Sequence, residues 1–78
     1  MINPSLQEVV SQARKLLDDS PFAELHGVDV ASQDERVHLR GEVQTYFLKQ
    51  VAQETVRSAT HGLEVRNDLR VELRRRIH

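Results

Sequence analysis

Four histidines, twelve carboxylates and a handful of hydroxyls are the side chains through which this 78-residue chain could do chemistry. Their spacing argues against catalysis. His26, His38, His61 and His78 are scattered, and no two stand four apart as ligands on one helix face must. There is no cysteine, so no thiolate is available to a metal or as a nucleophile. No carboxylate joins a histidine at ligand spacing, and no serine or threonine sits in a motif that pairs it with a base. These absences predict a protein that is not an enzyme, uses no cofactor or metal, and has no small-molecule substrate.

What remains is chemistry of surfaces. Tyr46 and Lys49 stand close together, and Arg57 follows on the same helical face as Tyr46. A tyrosine has an apolar body and a polar tip, and beside cations it suits a membrane interface. Phe47 is expected to flank the apolar stripe beside Val51. Arg74, Arg75 and Arg76 form a basic run near the C-terminus, joined by Arg70. Near an anionic bilayer each such charge adds about 1 kcal/mol of attraction. Yet eleven basic residues nearly balance twelve acidic ones, so no global field steers the chain to nucleic acid or lipid. Any such binding must be local.

The elements that position these residues follow from periodicity. Pro4-Ser5 opens a first helix, with Ser5 and Glu8 spaced as a capping box. Leu6, Val9, Val10, Ala13, Leu16 and Leu17 fall on one side of it, and Ser20-Pro21 ends it. Phe22 and Leu25 are expected to tuck the next connection onto the core. Val28 and Val30 mark a short strand, 32–35 a polar turn, and Val37, Leu39, Gly41 and Val43 a longer strand, making a hairpin. Thr45 caps a second helix with Leu48, Val51, Ala52, Val56 and Ala59 as its stripe, and His61-Gly62 stops it. Leu63, Val65, Asn67, Leu69, Val71 and Leu73 then alternate with charges as one regular final strand.

The expected fold class is α+β: a two-layer sandwich in the order α-β-β-α-β, with two helices on one face of a three-stranded mixed sheet. The second strand is placed in the middle. One domain spans 1–78, with a core over 5–73 and a basic tail over 74–78. The other sheet face should carry Asp29, Arg36, His38, Arg40, Glu42, Glu64, Arg66, Asp68, Arg70 and Glu72 in solvent, paired as cross-strand ions. No aromatic lies on any strand and no G-x-x-G loop occurs, so nucleic acid is not the expected partner.

From Leu6 to Leu73 the chain resembles the BON domain. The resemblance rests on Val37-x-Leu39-x-Gly41-x-Val43, a helix carrying Ala52, and Gly62-x-x-Val65-x-Asn67-x-Leu69-x-Val71. It implies a binding module associated with bacterial envelopes, with phospholipid membranes the usual proposed ligand, and it brings no catalytic residues. Gly41, Gly62 and Asn67 match the family's motif positions. Gly41 is expected to allow a bulge or a close helix approach, and Asn67 to satisfy backbone groups. The chain departs from the family's habit in having one copy and no export signal. As written it is expected in the cytoplasm, and in the periplasm or envelope if it belongs to a longer exported protein. The expected partner is an anionic phospholipid surface. The alternative is a protein partner, including weak self-association, bound through a sheet edge or the second helix face.

Overall fold

Ser5 caps the first helix: its Oγ accepts the Glu8 N–H at 3.2 Å, in a computed structural model that describes residues 5–72. The bond that a full capping box would add in return, from the Ser5 N–H to the Glu8 carboxylate, is not formed among the described residues. Helix α1 runs Leu6–Asp18 and buries Val9, Ala13 and Leu17, four residues apart in turn. The Asp19 N–H closes it on the Lys15 carbonyl at 2.9 Å.

The connection that follows forms a short 3-10 helix, Ala23–Gly27. Leu25 is fully buried there, as expected. Phe22 is not. It stays extended ahead of the turn, where the Ser20 hydroxyl accepts its N–H, and the residue is 39% exposed.

Strands β1 (Asp29–Gln33) and β2 (Arg36–Arg40) pair antiparallel, with Gln33 opposite Arg36. The turn is therefore Asp34-Glu35 alone, tighter than the four polar residues suggested, since Ser32 and Gln33 belong to the strand. Both turn residues are left-handed, φ 53° and 61°. That is the type I′ geometry whose twist matches the flanking strands, and it favours Asn-Gly or Asp-Gly. Glu35 holds it against the clash of its own Cβ. Glu35→Gly should therefore raise stability by about 1 kcal/mol and the midpoint of thermal unfolding by roughly 4–8 °C. A melt that stays level or falls would show that Glu35 sits there without strain.

After β2 the chain bends at Gly41 (φ 136°) into a short strand β3, Glu42–Val43. Thr45 caps helix α2, Tyr46–Thr60, its Oγ1 accepting the Leu48 N–H at 3.0 Å. Leu48, Ala52, Val56 and Ala59 are buried along one stripe. His61 and Gly62 both take the left-handed conformation, so the stop uses two residues where glycine alone was expected.

Strand β4 (Val65–Asn67) pairs parallel with β2, and β5 (Arg70–Val71) pairs parallel with β3. The strand order β1-β2-β4 puts β2 in the middle. The two helices pack on each other, α1 also on β1 and α2 on β4, which gives the expected two layers around one core.

The final strand is not one regular run. It breaks after Asn67, where the Asn67 Oδ1 takes the Leu69 N–H at 3.2 Å, and the second strand breaks alongside at Gly41. Bonds at every second residue carry the ladder across the break: Asp68 N–H to Leu39 O, Arg70 to Gly41 and Glu72 to Val43, all within 2.8–2.9 Å. Gly41 is needed for its φ more than for space. A Cβ there would make only ordinary contacts of 3.6–3.7 Å, with Gly27 O, Val28 Cα and Leu69 Cδ2. The backbone nearest it is Gly27-Val28, between the 3-10 helix and β1, not a face of α1 or α2.

Candidate functional site

Tyr46 opens α2 with 70% of its surface exposed, and Phe47 beside it is 64% exposed. The cap at Thr45 fixes both, because it aims Leu48 at the core and so turns the two preceding residues outward. Phe22 meets Phe47 edge to face, ring centroids 5.9 Å apart and planes at 76°. A pair of this kind is worth about 0.5–1.5 kcal/mol beyond the area it buries. The expected packing of Phe47 along the core stripe is replaced by this surface pair. Tyr46 and Phe47 thus stay exposed side by side in the chain at the start of α2, where Phe22 from the preceding connection pairs with Phe47. Sequence reasoning missed Phe22, and no local signal links residues 25 positions apart.

The cations expected to join them are dispersed. Lys49 is half-buried, and its carbonyl accepts the Asn67 amide at 2.8 Å. The Arg57 side chain is 79% exposed and pairs with Glu54 at 3.5 Å. It lies three turns beyond Tyr46, about 16 Å along the axis at ~1.5 Å per residue. Arg70, on the outward sheet face, pairs with Glu72 at 3.4 Å. Arg74, Arg75 and Arg76 lie outside the described residues. Closer to the rings, Glu24, Glu42 and Glu72 line a shallow groove of roughly 210 Å³ with Val43 and Gln44. A second open groove, about 540 Å³, runs between the far half of α2 and β4, lined by Gln53, Arg57, Leu63 and Val65 among others.

The outward sheet face differs from expectation in two respects. Arg36 bridges from β2 to Glu64 at 2.8 Å, but Arg66–Asp68 and Arg70–Glu72 are paired along their own strand. Exposed pairs of this sort contribute a few tenths of a kcal/mol. His38 is not in solvent: it is 8% exposed. β2 is the central strand, and Ala31 on β1 and Arg66 on β4 stand directly across from His38. Both ring nitrogens lack a hydrogen-bond partner, and Nδ1 is 3.6 Å from the Asp68 carboxylate, too long for a bond.

Asn67 is the best-connected polar side chain among the described residues. Its Nδ2 donates to the Lys49 carbonyl at 2.8 Å and to Gln53 Oε1 at 3.3 Å, while Oδ1 accepts the Leu69 N–H. It fastens β4 to α2 at the point where the strand bends. Gly41 bends the neighbouring strand in register with it, and Gly62 supplies the reversal that leads α2 into β4. The family model described as BON domain matches residues 5–72 and takes in all three positions. The chain belongs to the BON domain family. No curated protein matches it. Within this BON domain, then, Gly41, Gly62 and Asn67 shape the backbone around the β2–β4 ladder. Family membership supports reading the chain as a binding module.

Proposed function

We propose that this BON domain is a non-catalytic module that associates peripherally with anionic phospholipid membranes. The observation that carries the reading is the cluster of Phe22, Tyr46 and Phe47, the large apolar side chains left exposed among the described residues. Amphipathic rings at a helix start can enter the headgroup boundary while the backbone stays in water. Arg57 and Arg70, each paired with a glutamate and away from the rings, add little; Lys49, one turn beyond Tyr46, and the Arg74–Arg76 run supply the attraction to anionic lipid. The acidic groove beside the rings opposes it, so the proposed binding is weak and sensitive to salt. A bacterial envelope membrane is the surface this reading implies.

Amide chemical shifts followed during titration with anionic and zwitterionic vesicles, each at low and high salt, test the proposal. The expected response is confined to Phe22 and Tyr46–Arg57, with anionic vesicles at low salt. Replacing Tyr46 and Phe47 together by alanine should weaken vesicle binding about tenfold or more. Silence in all conditions, or binding indifferent to that double substitution, would remove the aromatic cluster from the function. A second reading, a protein-interaction module, is supported by the outer side of β4, which has no backbone partner among the described residues.

A further inference from the structure

The two edges of the sheet are not alike. At β1, the Arg14 guanidinium reaches across from α1 and donates to the outward carbonyl of Val30 at 3.0 Å. That occupies the edge where a foreign strand would bond. At β4, the ladder to β2 uses the Glu64 carbonyl and the Asp68 N–H, so by alternation the N–H and C=O groups of Val65 and Asn67 point away from the sheet. They have no partner among the described residues.

Charges along this edge alternate strictly. Glu64, Arg66, Asp68, Arg70 and Glu72 occupy one face, minus and plus in turn, while Leu63, Val65, Leu69 and Val71 face the helix layer. A strand of this pattern complements itself only when antiparallel and centred on an odd residue. With a two-fold axis at Asn67, Glu64 stands opposite the partner's Arg70, and Arg66 opposite the partner's Asp68. Val65 then meets the partner's Leu69, and Leu63 the partner's Val71. Each pair occurs twice by symmetry.

Other registers fail. An axis at Asp68 sets Arg66 against the partner's Arg70 and Glu64 against the partner's Glu72. An axis at Arg66 sets Glu64 against the partner's Asp68, and parallel in-register pairing sets every charge beside its own copy. An axis at Leu69 also matches charges, but it carries Val65 and Glu64 onto positions 73 and 74, outside the described residues; the Leu69 N–H, held by the Asn67 side chain, is missing from the backbone pairing in either register. An axis at Val65 carries Asp68 and Arg70 past the strand onto the turn at Gly62 and beyond. Glu54 and Arg57, an ion pair within α2, border the groove beside the edge.

We propose that β4 is a homodimer interface: two copies of this chain pair edge to edge, antiparallel about Asn67, joining two three-stranded sheets into one. This surface is separate from the aromatic cluster and requires no lipid.

Sedimentation equilibrium of the full chain without lipid, up to about millimolar concentration, should show a reversible monomer–dimer equilibrium. Arg66→Glu places like charges opposite one another twice and should weaken dimerisation about tenfold. The swap R66E/D68R restores the opposite signs and should recover it. E64R/R70E tests the same register at the outer pair. Isotope-filtered spectra of a mixed-label dimer should show an Hα–Hα contact between Arg66 and the partner's Asp68. Far-ultraviolet circular dichroism checks that each variant is folded. A chain that stays monomeric throughout, a dimer indifferent to Arg66→Glu, or failure of R66E/D68R to recover it would overturn the interface.

Discussion

Leu39→Ala should destabilise the domain by about 3 kcal/mol, read from urea unfolding followed by circular dichroism. Leu39 is fully buried in the central strand, opposite Val30 on β1 and Asn67 on β4. Truncation there removes the transfer energy of the lost carbons and leaves a cavity whose walls belong to neighbouring strands. At roughly 0.05–0.15 kcal/mol per residue, a chain of this length has on the order of 4–12 kcal/mol in all. The substitution therefore takes a quarter or more of the total. Leu63, only partly buried at the edge, should lose distinctly less on the same change. A Leu39→Ala loss below about 1 kcal/mol would contradict its place at the centre of the core.

Asn67→Ala should lose about 2 kcal/mol, a large effect for a half-buried residue. Three hydrogen bonds go at once, and the Leu69 N–H is left without its acceptor. Asn67→Asp separates the two functions of the amide. The carboxylate still accepts from Leu69, but it faces the Lys49 carbonyl and Gln53 Oε1 as an anion with nothing to donate. At neutral pH this variant should be at least as damaged as the alanine one. Facing two acceptors raises the folded pKa of the new carboxyl above its unfolded value, near 3.9. A raised acid contributes stability below the unfolded pKa and loses it as pH rises through the folded one. The gap between Asn67→Asp and the unsubstituted chain should therefore narrow on acidification, while the Asn67→Ala gap stays level. Unfolding midpoints at pH 7 and about pH 4 check this. An alanine variant within about 0.5 kcal/mol of the unsubstituted chain would leave Asn67 without its fastening role.

The helices were legible because their signal is periodic and redundant. Val9, Ala13 and Leu17, like Leu48, Ala52 and Val56, recur every four residues, and each helix carries a side-chain cap one residue ahead. The parallel return of the last strand followed from the intervening helix alone. What escaped was set by dihedral angles and by neighbours distant in sequence. The turn at Asp34-Glu35 lacks the glycine that announces such geometry. The break opposite Gly41 depends on an asparagine side chain capturing a backbone donor two residues on. His38 alternates as a solvent residue should, and it is buried only because β2 has a strand on either side. Of the surface residues, Tyr46 was placed by helical spacing. Its association with Phe22 through Phe47 belongs to the tertiary fold, as does the reach of Arg14 to the β1 edge.

Asp34, Glu35 and His61 all hold left-handed backbone without being glycine. At about 1 kcal/mol each, they set aside a sizeable share of the stability available to so small a core. The fold thus operates with slack deliberately measurable at single positions: its present sequence lies above the threshold for folding but short of the optimum that the same backbone permits. A more robust version of the domain lies a few substitutions away, first at the Asp34-Glu35 turn, while His61 stands between Thr60 and Gly62, which line the groove beside the β4 edge.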